Sequence, residues 1–191
     1  MEQATKQHLD NLRSNDPNQR YTSFQYIINL TQQPIAWAYE AWDKLLALLK
    51  SGDNHERAIG VQVLSNLAKS DPEQRMLKDI DKLMAVTKDE KFVTARHSLQ
   101  SLWKVGAANK ELQTKVLDGL SKRFRECKTE KNYTLIRYDI IQVFRKIYNE
   151  VYDEKIKNMS FSLIETEEDE KYKKKYSGLW KDVLKTGKGK K

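Results

Sequence analysis

The chain has 191 residues, of which 39% are hydrophobic and 32% charged, and a formal net charge of +8. Its length suffices for one domain with a buried core, and the lack of an apolar run of about 18 residues excludes a membrane-spanning helix. A single cysteine, Cys127, excludes an internal disulfide framework. Because the first residues lack the basic and apolar character of a signal peptide, we expect a cytoplasmic protein with no membrane partner.

Helical periodicity predicts ten helices joined by short turns. In chain order they cover residues 2–14, 17–31, 34–50, 54–69, 72–87, 90–105, 109–126, 132–149, 152–164 and 167–185. Asp16 and Asp71, each followed by proline, are predicted N-caps, and Asp53 has a glutamate three residues later, as in a capping box. Gly52 and Gly106 are predicted to end helices in the left-handed conformation.

One apolar pattern recurs in every second helix, at residues 16–30, 53–67, 89–102 and 132–143. Aligning the copies on Ile27, Leu64, Leu99 and Ile140 gives steps of 37, 35 and 41 residues. A period near 37 residues with two helices per unit is typical of an α-solenoid, in which stacked units share one core. The prediction is an all-α, right-handed α-solenoid of about five stacked antiparallel helix pairs over residues 1–184, followed by a flexible basic tail at 185–191.

The segment DNHERAIGVQVLSNL, residues 53–67, resembles the second helix of a HEAT repeat, with Asp53 and Arg57 in the positions of that family's Asp and Arg. Residues 16–20 repeat this start, whereas the third copy has Val93 in the arginine position. The chain therefore resembles HEAT-repeat (HEAT-like, armadillo-type) α-solenoids, such as the HEAT-like proteins of bacteria. The resemblance implies that the Asp and Arg connect neighbouring repeats and that the second helices line a concave face.

Polar side chains recur in each second helix two positions before, two after and five after the aligned apolar residue. This spacing places each trio on one helix face, so stacked repeats would align the trios in a row that we call the polar stripe. The stripe comprises Gln25, Asn29, Gln32, Gln62, Asn66, Lys69, His97, Ser101, Lys104, Tyr138, Gln142 and Arg145. Its amides suit hydrogen bonding to a peptide, and its last nine members are the candidate binding residues. The alternative is that the stripe is only the solvated side of amphipathic helices.

No motif for catalysis or metal binding is present: HExxH, paired cysteines and a glycine-rich phosphate loop are all missing. We therefore predict no catalytic residue, no metal ligand and no cofactor. The leading hypothesis is a non-enzymatic scaffold or adaptor, a monomer that binds a protein or peptide partner on the concave face.

The alternative hypothesis is a nucleic-acid-binding HEAT-like protein, possibly similar to alkylated-base DNA glycosylases. Some HEAT-like solenoids with that activity use concave Trp, Asp and Arg residues, and the resemblance would point to Trp103, Arg137, Tyr138 and Asp139 here. Cations for such binding would be Lys69, Lys104, Arg145 and the lysine tail. We expect any binding of nucleic acid to be weak and to depend mainly on the tail.

Overall fold

The structure, a computed structural model, describes residues 1–186 and contains no β-strand in that range. The ten predicted helices all form, but the sixth and the tenth are each divided into two. The α-helices of the described residues are α1 (Gln3–Asn11), α2 (Pro17–Leu30), α3 (Ala38–Ser51), α4 (Asn54–Leu67), α5 (Met76–Val86), α6 (Phe92–Ser101), α7 (Trp103–Ala108), α8 (Lys110–Glu126), α9 (Tyr133–Val151), α10 (Glu154–Glu165), α11 (Glu170–Ser177) and α12 (Lys181–Thr186).

The helices form two layers, as stacked helix pairs require. The first helix of each pair, namely α1, α3, α5, α8 or α10, packs against its second helix, and the second helices α2, α4, α6, α9 and α11 contact one another in sequence. The short helix α7 continues α6 and contacts both α8 and α9. This arrangement confirms the predicted all-α solenoid. No helix within residues 1–186 is both long and apolar enough to cross a membrane.

One continuous hydrophobic core lies between the two layers. The four residues used to align the repeats, Ile27, Leu64, Leu99 and Ile140, are all 0% exposed, which confirms the predicted register. The predicted boundary between domain and tail, at residue 184, lies inside α12. This helix ends at Thr186 and so includes residues 185 and 186, the first two of the predicted tail. The other tail residues, 187–191, lie outside the described residues, and the proposed flexibility of the tail stays a prediction.

Two of the three predicted N-caps are confirmed. Asp16 accepts hydrogen bonds from the backbone N–H groups at the start of α2, and Asp53 forms a complete capping box with Glu56. The prediction for Asp71 was wrong, because α5 begins at Met76. Gln74 has a φ of 54°, so residues 72–74 form a turn, and the Asp71 carboxylate accepts from the N–H groups at the start of α5 instead.

The two predicted left-handed glycines were wrong, since no glycine of residues 1–186 has a positive φ. Gly52 is extended, with a φ of −78°, and a Cβ there would lie 2.4 Å from the Leu48 carbonyl oxygen. Gly106 lies inside α7, where a Cβ would come within 2.5 Å of Ile147 Cδ1 on α9. Both glycines thus allow close approach of neighbouring atoms.

Ion pairs connect each second helix to the following repeat. Arg57 of α4 donates from Nε and Nη2 to the two carboxylate oxygens of Asp89, at 2.5 and 3.0 Å. One repeat earlier, Arg20 Nη1 lies 3.9 Å from Asp53 Oδ2. The aspartates of the second and third copies, Asp53 and Asp89, therefore each meet the arginine of the preceding repeat, as the resemblance implied.

Ion pairs between neighbouring repeats also occur in the C-terminal half, but their acidic residues do not occupy the HEAT-like aspartate position. Arg96 donates to both oxygens of Asp139, at 2.7 and 3.0 Å, and Gln100 also donates to that carboxylate. Arg137 Nη1 donates to Glu167 Oε2 at 2.8 Å. Because Asp139 and Glu167 are not in the HEAT-like positions, the sequence pattern did not reveal these pairs.

The Arg57–Asp89 pair should make folding sensitive to acid. Burial raises the pKa of Asp89, but hydrogen bonds from Arg57 and the Lys91 N–H outweigh it and hold the pKa below the ordinary 3.8. The pair therefore stabilises the fold above about pH 4, and this contribution is lost as the pH falls further. We expect Asp89→Asn to lower the free energy of unfolding by about 1–3 kcal/mol at pH 7.

Urea unfolding of both proteins between pH 7 and pH 3 checks this expectation. The difference between wild type and Asp89→Asn should shrink as the pH drops below about 4, because the unfolded chain takes up a proton at Asp89 there and the folded protein does so at still lower pH. A difference that stays constant over the whole range would contradict the assigned role of Asp89.

Candidate functional site

The candidate site is the face formed by the second helices, where the polar stripe was predicted. In its centre, Asn66 is only 1% exposed. Its Nδ2 donates to Thr31 Oγ1 at 2.9 Å and to the Ile28 carbonyl oxygen at 3.3 Å, and its Oδ1 accepts from Lys104 Nζ. These bonds join three successive repeats, so the Asn66 amide is already engaged within the protein.

Three other stripe residues also direct their polar groups to their own chain. Ser101 is buried, and its hydroxyl donates to the His97 carbonyl oxygen at 2.6 Å. Lys69 Nζ donates to the Gln32 carbonyl oxygen at 2.8 Å, which links neighbouring repeats. Gln62 Nε2 donates to the carbonyl oxygen one turn earlier, at 3.1 Å. Much of the predicted stripe therefore lies in contacts within and between the repeats.

Arg145, the last cation of the stripe, is neutralised within the protein. Its Nη2 donates to Asp182 Oδ2 at 2.6 Å, and its side chain is only 14% exposed. The guanidinium group lies 5.4 Å from the ring centroid of Trp180 and 5.6 Å from that of Tyr148. Since the charge is paired and the guanidinium lies over two aromatic rings, Arg145 presents little free charge to a phosphate.

The stripe residues Gln25, Gln62 and His97 line a groove across α2, α4 and α6, with a volume of about 490 Å³. We call it the N-terminal groove. Its other lining residues are Pro17, Arg20, Tyr21, Phe24, His55, Ala58 and Ile59. Tyr21 presents the most exposed large hydrophobic side chain of this lining, at 64%. Tyr21 was not among the predicted binding residues because it lies one turn before Gln25, the first stripe position of its helix, and the sequence alone does not show that its ring is exposed.

A second group of side chains surrounds Trp103, at the start of α7. The Nζ atoms of Lys104 and Lys146 each lie 5.8 Å from the centroid of the indole ring. Burial lowers the pKa of Lys104, and the positive charges of Lys69 and Lys146 lower it further. We call Lys69, Lys104 and Lys146 the lysine cluster. Lys146 was missed by the sequence analysis because it lies one position beyond the stripe spacing.

The residues suggested by analogy with DNA glycosylases do not form a common pocket. Arg137 and Asp139 are buried, and each is bound in an ion pair between repeats. Tyr138 is half-buried, and Lys175 Nζ lies 5.0 Å from its ring centroid. Two of the four groups are therefore unavailable to a flipped base.

The described residues also offer neither a reactive cysteine nor a cluster of side chains suited to hold a metal ion. Cys127 is buried, and burial raises the pKa of its thiol despite the nearby positive charges of Arg137 and Arg123. A neutral buried thiol is a poor nucleophile. Residues 1–186 contain no group of three or more His, Cys, Asp or Glu side chains that could hold a metal ion.

Two solved structures, an engineered and a designed protein, align with most of the chain. An engineered protein aligns over 97% of this chain and 98% of its own length, with a TM-score of 0.51 and 12% sequence identity. A designed armadillo repeat protein aligns over 92% of this chain and 98% of its own, with a TM-score of 0.43 and 13% identity. No protein-family model and no curated protein sequence matches the chain. The first alignment extends over nearly the whole chain and indicates a shared fold.

Proposed function

We propose that this HEAT- and armadillo-like repeat chain is a non-enzymatic, monomeric cytoplasmic scaffold that binds an extended segment of a protein partner. The bound segment would lie along the second-helix face and begin in the N-terminal groove. The observation that carries the proposal is the composition of that groove. It combines the exposed ring of Tyr21 with the side-chain amides of Gln25 and Gln62, of which Gln62 uses one N–H for its own helix and keeps the second N–H and the oxygen.

Such a surface suits a peptide for two physical reasons. Tyrosine adds a large contact area at a small cost in side-chain entropy, which is why it is frequent among residues that dominate binding. An amide both donates and accepts hydrogen bonds, so it can pair with the main chain of any peptide sequence. The groove crosses three helices, a span of about 16–20 Å, which corresponds to about five or six extended residues.

Nucleic-acid binding has less support from the second-helix face. A duplex requires several unpaired cations along a path that follows its phosphates. Here Arg57, Arg96 and Arg145 are each paired with a carboxylate in the same chain. The lysines of the lysine cluster have no such partner among the described residues, and the Nζ atoms of Lys104 and Lys146 each lie 5.8 Å from the centroid of one indole ring.

Selection of random twelve-residue peptides on the immobilised full chain tests the proposal. We expect the selection to yield peptides that bind the wild-type chain, with affinities measured by fluorescence anisotropy. Tyr21→Ala should weaken their binding at least about tenfold, because the contact area of the exposed aromatic ring is lost. Tyr152→Ala is a matched control, because Tyr152 is 75% exposed and lies just after α9, far along the chain from the groove. It should change the affinity by less than about twofold.

Two outcomes contradict the proposal. One is the failure of the wild-type chain to select any peptide above background. The other is an equal loss of affinity with Tyr21→Ala and Tyr152→Ala, which would place the contact outside the N-terminal groove. Circular dichroism of each variant confirms that the helical fold is retained before binding is compared.

A further inference from the structure

The lysine cluster differs from the arginines of the second-helix face because, among the described residues, it has no counter-ion. Within residues 1–186, no carboxylate lies within 4.0 Å of Lys69, Lys104 or Lys146, whereas the arginines of these helices are each paired. Like charges brought together without an acid repel one another. Such an arrangement destabilises the protein alone and becomes favourable when an anion binds.

Two of the three ammonium groups are held in place. Lys104 Nζ donates to Asn66 Oδ1, and Asn66 is in turn fixed by Thr31. Lys69 Nζ donates to the Gln32 carbonyl oxygen at 2.8 Å. An ammonium group has three N–H donors, so both lysines keep donors for a ligand. Because their partners are neutral oxygens, neither ammonium group is paired with a negative charge by these hydrogen bonds.

Lys146 completes the group from the neighbouring helix. Its Nζ lies 5.8 Å from the ring centroid of Trp103 and makes no hydrogen bond or ion pair to the described part of the chain. The indole is half-buried and adjoins the same space as Lys104. An anion bound here would meet charged donors from both α7 and α9, together with an aromatic surface that can contact methylene groups.

We propose that the lysine cluster binds the carboxylate of an Asp or Glu side chain in the peptide segment held by the second-helix face. This proposal rests on the proposed function and adds the chemistry that the partner must carry. The carboxylate would accept hydrogen bonds from Lys104 and Lys146, with Lys69 adding positive charge, while the side-chain methylenes of the ligand lie against Trp103. The partner would therefore be an acidic rather than a basic protein segment.

A carboxylate fits this site better than a nucleic-acid strand. One carboxylate is satisfied by the few donors that three ammonium groups offer. A strand carries a charge at every nucleotide and requires a groove of cations that continues along the backbone. Two arginines of the same face, Arg96 of α6 and Arg145 of α9, are already neutralised by Asp139 and Asp182. These two arginines therefore do not extend the positive charge of the lysine cluster along the face.

The peptides selected on the full chain provide the test, with a thermodynamic cycle between protein and peptide. We expect the selected sequences to share an Asp or Glu, and replacement of that residue by Asn or Gln to weaken binding about tenfold. Lys146→Met should weaken binding by a similar factor, and the combination of both changes should cost little more than either alone. Lys146 suits this purpose because it contributes no hydrogen bond to the described fold.

A matched control and a competing probe complete the experiment. Lys78→Met removes the same charge from an exposed position of α5, in the other layer, and should leave binding within about twofold. Fluorescein-labelled decaglutamate should bind more tightly than a labelled twelve-residue oligothymidylate, and Lys104→Met should weaken the decaglutamate complex.

Each contrary result has a distinct meaning. Selected peptides that lack a common acidic residue, or that bind Lys146→Met as well as wild type, would overturn the carboxylate site and leave the proposed function in place. Tighter binding of the oligothymidylate through the same lysines would also overturn it, in favour of a nucleic-acid site. Failure to select any peptide would overturn both proposals.

Discussion

Replacement of Leu64 by alanine should lower the free energy of unfolding by about 2–5 kcal/mol. Leu64 is 0% exposed and lies in α4, which packs against α2, α3 and α6. The truncation removes apolar contacts and leaves a cavity that neighbouring helices, fixed by the repeats on both sides, cannot fill completely. Urea unfolding followed by circular dichroism measures the loss.

The matched control for Leu64 is a leucine with the same chemistry outside the core. Leu30 is 38% exposed at the last turn of α2, and Leu30→Ala should lower the stability by less than about 1 kcal/mol. A loss for Leu64→Ala that is also below about 1 kcal/mol would show that α4 is rotated from the assigned register.

The second large effect is expected at the buried pair of Arg137 and Glu167. Both residues are at most 5% exposed, and the guanidinium of Arg137 also lies 4.6 Å from the ring centroid of Phe124. Glu167→Ala would leave this charge buried without a counter-ion. We expect a loss of about 3–5 kcal/mol in the free energy of unfolding, because the desolvation of the cation is no longer compensated.

The adjacent residue supplies the control for this prediction. Glu168 is exposed and pairs with Lys128, so Glu168→Ala should leave the unfolding midpoint unchanged. The double variant Arg137→Met with Glu167→Leu should recover much of the loss, since it removes both charges and retains side-chain volume. If Glu167→Ala proves as harmless as Glu168→Ala, the last repeat does not depend on this ion pair.

The fold was predictable because its determinants are local or periodic. Apolar residues at helical spacing identified the second helices, and the recurrence of that pattern identified the repeat. Ile27, Leu64 and Leu99 are buried as the alignment required. The capping box at Asp53 was also predictable, because it joins residues only three positions apart.

The availability of the polar side chains could not be predicted from spacing. Asn66 and Arg145 occupy the expected helix face, but groups from other repeats, Lys104 and Asp182, decide whether they are free. Such partners lie 37 or 38 positions away in the chain. The glycines illustrate the same limit, since Gly106 is required by the approach of Ile147 and not by its own backbone conformation.

The amino-acid sequence by itself therefore determined the helices, their pairing and the residues of the core, because these follow from hydrophobic periodicity and from contacts within one turn. Only the tertiary structure decided which polar groups bind within the protein and which are left for a partner. It brought Lys146 beside Trp103 and left Tyr21 exposed in the N-terminal groove. The physical reason is that hydrogen bonds and ion pairs depend on distances of a few ångströms between repeats, which the spacing within one helix does not determine.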